Sequence, residues 1–230
     1  RSAPLEASRE VLAQGARLAA HLLEAAPADI VAGDGGLQVA GVPASRISWA
    51  DLARAARDPE KRPEGVGERL QHELDFKADG SSFPFGSHVA VVEIDADTGR
   101  VRLVRHIAVD DCGNIVNPLI VAGQQHGGIA QGVAQVLYEA VQYDEDGNPV
   151  TANLMDYAVP SAAELPSYEV YNTVTPSPLN PLGMKGIGES STIGSTPAVH
   201  NAIVDALSHL GVRHIDMPCT PERVWRALGG

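Results

Sequence analysis

A glycine-rich segment near the C-terminus contains the acidic residue best suited to chemistry. Residues 181–194 include four glycines and a single carboxylate, Glu189. Because glycine has no Cβ, another backbone or a flat ligand can approach such a segment closely. A carboxylate among small and apolar residues loses solvation, which raises its pKa toward the range that suits a general base. From residue types and spacing, a solvated loop glutamate beside a helix start is the simpler interpretation, and a catalytic Glu189 is the alternative.

The residues after Glu189 offer a structural explanation for the same composition. Ser195 and Thr196 precede Pro197, and a hydroxyl residue followed by proline is typical of the start of a helix. We therefore expect a helix that begins at Pro197, with a loop before it. The order of the glycines matches neither a phosphate-binding P-loop nor a dinucleotide-binding fingerprint.

A second glycine-rich segment lies at the centre of the chain. Residues 119–138 follow a helical pattern, although four glycines interrupt it. Each glycine in a helix interior costs roughly 1 kcal/mol relative to alanine, so close approach of a ligand or of another helix must compensate. Both explanations are open from the sequence. Gln124 and Gln131 lie in this helix and could exchange hydrogen bonds with a ligand.

Composition excludes several classes of protein. The chain has 230 residues and a formal net charge of −12 without a long run of Lys or Arg, which argues against nucleic-acid binding. Cys112 and Cys219 are far apart in sequence, so neither a zinc site nor a disulfide framework is expected, and a reducing compartment is favoured. The sequence shows no signal peptide and no apolar run of membrane-spanning length. We therefore expect a piece of a longer cytoplasmic chain.

The pattern of elements favours an α+β fold with mixed and antiparallel sheets and packed helices. The predicted helices cover residues 5–26, 49–57, 119–138 and 221–228, with one more from Pro197. The predicted strands cover residues 29–32, 37–40, 70–78, 89–95, 101–109, 150–154 and 168–173. A charged, proline-containing linker over 58–67 separates an N-terminal helix and hairpin segment, 1–68, from a C-terminal region, 69–230.

Three segments resemble the C-terminal part of the molybdenum-binding large subunit of the xanthine oxidase family. They are 110–118 (DDCGNIVNP), 123–132 (GQQHGGIAQG) and 186–189 (GIGE). Residues 171–183 are most similar to the carbon monoxide dehydrogenase large chain and its aldehyde-oxidising relatives. The resemblance extends with few gaps from about residue 85 to the end of the chain, and more weakly over the first helix.

This resemblance implies the C-terminal molybdopterin-binding domain of a molybdenum hydroxylase. Glu189 matches the family's base, which removes a proton from a molybdenum-bound hydroxyl, and Gln124 matches the glutamine that contacts the pterin. The other residues that the resemblance places at the cofactor are Gly127, Gly128, Gln131, Lys185, Gly186 and Gly188. No residue of this chain is expected to ligate the metal directly.

The resemblance also implies a cofactor, substrates and partners. The cofactor of this branch is molybdopterin cytosine dinucleotide with molybdenum. The substrate is carbon monoxide, an aldehyde or an N-heterocycle, which is oxidised with water-derived oxygen. Electrons then pass to an iron–sulfur small subunit and an FAD-binding medium subunit in a dimer of heterotrimers. A non-catalytic scaffold domain of such a complex is the competing hypothesis.

The resemblance also bears on Cys112, on His126 and on the activity of the chain itself. Cys112 does not lie in a copper-binding loop and is interpreted as structural. His126 is expected on the helix surface, with a contact to cofactor phosphates as the alternative. Because the family completes its site with upstream residues, we expect these 230 residues alone to be inactive.

Overall fold

Residues 2–77 and 80–229 are described by the computed structural model of the chain. They divide into an N-terminal unit, up to residue 78, and a C-terminal unit, from residue 79. The predicted division after residue 68, between two parts of one large-subunit region, stays a prediction. Within the described residues, no helix combines the length and the apolar character that crossing a membrane requires.

The N-terminal unit packs two helices against a small antiparallel sheet. The helices are α1 (Ser2–Leu22) and α2 (Trp49–Arg57), and the strands are β1 (Ile30–Gly33), β2 (Gly36–Val39) and β3 (Val42–Ser48). Leu18, Leu37 and Leu52 are fully buried between them. Both predicted helices and the predicted hairpin are confirmed. Strand β3 was not predicted, since its mostly exposed residues lack an alternating apolar pattern.

The C-terminal unit contains a three-stranded mixed sheet. Its strands are β4 (Phe85–Ile94), β5 (Val101–Asp111) and β6 (Glu169–Thr173), in that order. Strand β4 pairs antiparallel with β5, whereas β6 pairs parallel with β5. The predicted long hairpin and the predicted α+β class are therefore confirmed.

Three helices complete the C-terminal unit: α3 (Pro118–Leu137), α4 (Ser190–Leu207) and α5 (Pro221–Ala227). Asn117 caps α3 by accepting a hydrogen bond from the Ile120 N–H at 3.1 Å. The sheet, α3 and α4 share one core, in which Ala108, Ile129 and Ile203 are fully buried. The predicted helices over 119–138 and 221–228 are confirmed.

Helices α3 and α4 pack in parallel through small residues. A Cβ added to Gly128 would lie 3.0 Å from Ser191 Cβ, and one added to Gly132 would lie 2.0 Å from Ser195 Oγ. From Gly128 to Gly132, and from Ser191 to Ser195, the chain advances by about one helical turn, so the two helices run in the same direction. For these two glycines, helix packing is the explanation. Gly123 and Gly127 have open space instead.

Two predicted strands are wrong, and one predicted helix starts at a different residue. The helix expected from Pro197 begins at Ser190, so Pro197 lies inside it. An interior proline costs about 3 kcal/mol, and the contacts of α4 with α3 and the sheet compensate. Residues 70–77 and 150–154 form no strand, because no neighbouring strand pairs with them and Leu154 is 82% exposed. The last residue of the first of these predicted strands, 78, lies outside the described residues.

Candidate functional site

Strand β5 ends in two buried carboxylates with different partners. Asp110 is 1% exposed and Asp111 is 0% exposed. Successive residues of a strand face opposite sides of the sheet, so the two side chains meet different elements. Asp110 contacts β4, α3 and α4, whereas Asp111 contacts β6 and the loop that ends at Glu189.

Asp111 forms a buried ion pair with Lys185. Lys185 Nζ lies 3.1 Å from Asp111 Oδ1, and the two side chains are 8% and 0% exposed. Burial by itself would raise the pKa of Asp111, but hydrogen bonds from the Gly113 N–H and from Lys185 outweigh it and hold the pKa well below its usual range. The Lys185 ammonium also lies 4.4 Å from the centre of the Phe85 ring. The Lys185 ammonium is committed to this pair, and the predicted contact of Lys185 with a cofactor stays a prediction.

The backbone of the loop is fixed to the end of β5. Lys185 N–H donates to the Cys112 carbonyl at 2.7 Å, and Asn114 N–H donates to the Gly183 carbonyl at 3.0 Å. Gly113 and Gly183 both adopt positive φ, at 68° and 65°. A Cβ on Gly113 would lie 2.2 Å from the Gly183 oxygen, so this close approach requires glycine.

Glu189 lies where the fixed loop becomes helix α4. It is the N-cap residue, yet its side chain makes no capping hydrogen bond and is exposed. Desolvation of Glu189 was expected from its small and apolar neighbours. Within the described part of the chain this does not occur, because the glycines before it provide no covering side chains.

Asp110 accepts hydrogen bonds from three other elements. The donors are Ser190 Oγ at 2.8 Å, Ser191 Oγ at 2.7 Å and Gln125 Nε2 at 3.2 Å, and His88 Nε2 lies 3.4 Å away. Burial by itself would raise the pKa of Asp110, but the hydrogen bonds from His88, Ser191 and Ser190 hold it well below its usual range. Asp110 is therefore a buried anion that links β5 to the first turn of α4.

Two buried histidines continue this network. His88 Nδ1 lies 3.2 Å from His106 Nε2. A carboxylate only accepts hydrogen bonds, so His88 Nε2 carries a proton toward Asp110. Its other ring nitrogen, Nδ1, faces His106 Nε2, and the second ring nitrogen of His106, Nδ1, is buried without a partner among the described residues. Burial, and then His88, lower the pKa of His106 to about 4, so this ring is neutral at pH 7.

The polar residues of α3 divide between its exposed and buried sides. Gln124, Gly127 and Gln131 are exposed, whereas Gly128 is buried against α4. Gln131 Oε1 accepts a weak hydrogen bond from Thr192 Oγ1 at 3.4 Å. Because Gly128 is level with Ser191, Gln124 and Glu189 lie at a similar level along the helix pair. Contacts of Gln124, Gly127, Gly128 and Gln131 with a cofactor stay predictions.

Four exposed glycines have no structural explanation among the described residues. They are Gly123, Gly127, Gly186 and Gly188, none of which adopts positive φ. A Cβ on any of them would meet nothing within 4 Å. Gly186 and Gly188 precede Glu189 in the chain, and Gly123 and Gly127 lie within one helical turn of Gln124.

The residues that hold the start of α4 in place were not recognised from the sequence. Asp110, His88 and Gln125 were not assigned a role, although Gln125 is fully buried and also donates to the Tyr171 carbonyl at 3.2 Å. The helical register contained a signal, since Gln125 lies three and seven residues before the two glycines that pack against α4. Cys112 is buried, which raises the pKa of its thiol and fits its structural interpretation.

Comparison with known proteins assigns the chain to a family. The family described as the molybdopterin cofactor-binding domain matches residues 1–166. The carbon monoxide dehydrogenase large chain of Hydrogenophaga pseudoflava is 39% identical over 223 residues, which is 96% of this chain and 27% of that protein. The nicotine 6-hydroxylase large subunit of Paenarthrobacter nicotinovorans is 40% identical over 214 residues, which is 93% of this chain and 26% of that subunit. The chain thus spans about a quarter of the length of these relatives.

Solved structures agree with the sequence relatives. Carbon monoxide dehydrogenase from Oligotropha carboxidovorans matches 97% of this chain and 28% of its own, with a TM-score of 0.86 and 36% identity. Quinoline 2-oxidoreductase from Pseudomonas putida 86 matches 95% of this chain and 28% of its own, with a TM-score of 0.83 and 42% identity. The chain therefore belongs to the family of molybdopterin cofactor-binding domains and corresponds to part of the molybdenum-binding large subunit of the xanthine oxidase family.

Proposed function

We propose that this chain forms one side of the cofactor site in a molybdenum hydroxylase, with Glu189 as its general base. One observation carries the proposal. The Glu189 side chain is exposed and makes no capping hydrogen bond. It lies at the end of a loop that the Lys185–Asp111 ion pair fixes in place. A base needs a free carboxylate in a defined position, and this arrangement supplies both.

The described residues fit a flat, polar cofactor beside Glu189. The four open glycines, two on α3 and two before Glu189, leave space that side chains would otherwise fill. Gln124 and Gln131 provide exposed amides that can donate to and accept from a pterin. The group would be held by Gln124, Gly127, Gly186 and Gly188. Gly128 and the Lys185 ammonium are buried, so they would support this surface from beneath.

The chemistry would be divided between the cofactor and this chain. When bound, the cofactor supplies the two-electron redox centre and an activated oxygen derived from water. Glu189 would act as the proton acceptor beside that group, since its carboxylate is exposed and makes no capping hydrogen bond. The fixed loop keeps the carboxylate in place, so no reorganisation is needed at the moment of proton transfer.

The proposal extends to substrate, cofactor form and partners. Carbon monoxide dehydrogenases, a nicotine hydroxylase and a quinoline oxidoreductase match this chain. These relatives support a substrate class of carbon monoxide, an aldehyde or an N-heterocycle. We include in the proposal the cytosine dinucleotide form of the cofactor, and iron–sulfur and FAD-binding subunits as electron acceptors. A cytoplasmic location also belongs to the proposal and is supported by Cys112 and Cys219, both buried and unbridged.

Substitution of Glu189 in the full-length subunit tests the proposed base. Glu189→Gln keeps the shape of the side chain but removes the proton acceptor, so turnover should fall by roughly 10²–10⁴-fold. Molybdenum content, measured by elemental analysis, should stay at the wild-type level. Glu145→Gln, at an exposed loop acid, is the matched control. Near-normal turnover of Glu189→Gln with a full complement of molybdenum would refute the assignment.

A further inference from the structure

The buried Asp110 carboxylate contacts residues of three other elements. It accepts from Ser190, Ser191 and Gln125 and lies against His88, so β4, α3 and α4 all converge on one side chain. A buried carboxylate is costly unless its oxygens are fully hydrogen-bonded. Removing any one of these donors therefore weakens the attachment of the element that supplies it.

Asp110 acts on the part of α4 that begins at Glu189. Glu189 makes no side-chain cap, so its own side chain contributes nothing to fixing the first helical turn. Ser190 and Ser191 are the first two residues of that turn, and both donate to Asp110. A negative charge at the start of a helix also stabilises its unpaired N–H groups. Asp110 thus provides the anchoring that the cap residue does not.

The same face of α4 is also fixed by close packing, one turn beyond Ser190. A Cβ on Gly194 would lie 2.8 Å from the His88 ring, so α4 lies directly on that ring. His88 is held in turn by His106 and by Asp110. The start of α4 has one position relative to this network, and the Glu189 carbonyl accepts the Ile193 N–H at 3.0 Å within the same turn.

We propose that Asp110 is a positioning residue for Glu189. Its carboxylate holds the Ser190 and Ser191 hydroxyls, which fixes the first turn of α4 and with it the backbone of the residue that precedes this turn. The effect on turnover rests on the proposed function of Glu189. The effect on the helix does not, because it follows from the hydrogen bonds alone.

Asp110→Asn in the full-length subunit, within its complex, tests the proposal. Asn keeps the shape of the side chain but removes the negative charge and one of the two accepting oxygens, so the charge-assisted bonds from Ser190, Ser191 and Gln125 cannot all persist. Amide hydrogen exchange at Ile193 should become at least roughly tenfold faster, as expected for losing hydrogen bonds to a charged group. The kcat should fall by roughly tenfold or more while KM changes by less than about twofold, because a displaced base affects the transition state and not substrate binding.

A second variant and a control keep the test decisive. Replacing both Ser190 and Ser191 by Ala removes the donors without altering Asp110, so it should reproduce both effects even where Asp110→Asn does not fold. Glu169→Gln breaks an exposed ion pair with Arg105 on the same sheet and should leave both readouts unchanged.

The two readouts separate this proposal from the proposed function. Wild-type exchange at Ile193 in both the Asn variant and the double Ala variant would overturn the positioning role, whatever the activity. If the cofactor-loaded wild-type complex turned over no substrate, the proposed function would fail, while faster exchange at Ile193 would still support the role of Asp110 in the helix.

Discussion

The ammonium of Lys185 lies 3.1 Å from the carboxylate of Asp111, and both groups are almost completely buried. The pair connects the glycine-rich loop to the end of strand β5, which are 74 residues apart in sequence. Breaking a buried pair leaves one charge without compensation, and this costs far more than the loss of an exposed pair.

Lys185→Met should therefore destabilise the chain by about 3–5 kcal/mol. Arg105→Met, which breaks the exposed pair with Glu169, should cost about 1 kcal/mol or less. Urea denaturation at pH 7 measures both values. A loss below about 1 kcal/mol for Lys185→Met would show that Asp111 does not depend on this cation.

Buried His106 should make the stability depend on pH. Its folded pKa of about 4 lies below the ordinary histidine pKa of 6.5, so the unfolded chain takes up the proton first. Stability should fall as the pH decreases from 6.5 to 4, by roughly 3 kcal/mol for this group. The loss from Asp110 and Asp111 comes at still lower pH, because their pKa values are lowered below the unfolded carboxylate value.

Denaturant titrations at several pH values measure this dependence. His106→Gln should flatten the decline between pH 6.5 and 4, and His209→Gln, at an exposed histidine, should leave it unchanged. The same steepness in His106→Gln and in the wild type would assign the acid sensitivity to other groups.

Gly127 and Gly132 should respond oppositely to alanine. Gly132→Ala places a methyl group against Ser195 and Thr196, and overpacking of this kind costs about 1–3 kcal/mol. Gly127→Ala meets open space and should gain about 0.5–1 kcal/mol from helix propensity. Thermal unfolding compares the two. Equal effects would mean that α3 and α4 are not in close contact at Gly132.

A bulky side chain at Gly127 should affect the cofactor and not the fold. A Cβ added to Gly127 would meet nothing within 4 Å, and the residue is exposed. The melting temperature of Gly127→Leu should therefore stay at or above that of wild type. If a cofactor lies on this surface, the molybdenum content of the purified full-length subunit should fall severalfold, as measured by elemental analysis. Unchanged molybdenum content would remove Gly127 from the cofactor surface.

Elements with a local pattern were predictable from the sequence, and contacts between distant elements were not. The Ser48 and Asn117 caps and the apolar periodicity of α3 lie within a few residues of the helices that they define. The start of α4 was misplaced because Pro197 is a strong local signal for a helix start, whereas the stabilising contacts come from other elements.

The candidate site shows the same division. Glu189 and the glycines around it were recognisable from residue types and from resemblance. Asp110 was not, since its partners lie 15 to 81 residues away and become neighbours only in the folded unit. The fold also shows that the glycines of α3 have different surroundings. Gly128 and Gly132 pack against α4, whereas a Cβ on Gly123 or Gly127 would meet open space.

The parallel contact of α3 with α4 couples two pairs of sequence positions. Gly128 faces Ser191 and Gly132 faces Ser195, with no room for an additional methyl group on α3 at its present separation. A related chain with alanine or serine at position 132 would need a smaller residue at 195, or a wider helix pair. A wider pair would move the start of α4 away from Asp110, so the size of a residue in the middle of α3 limits where Glu189 can lie.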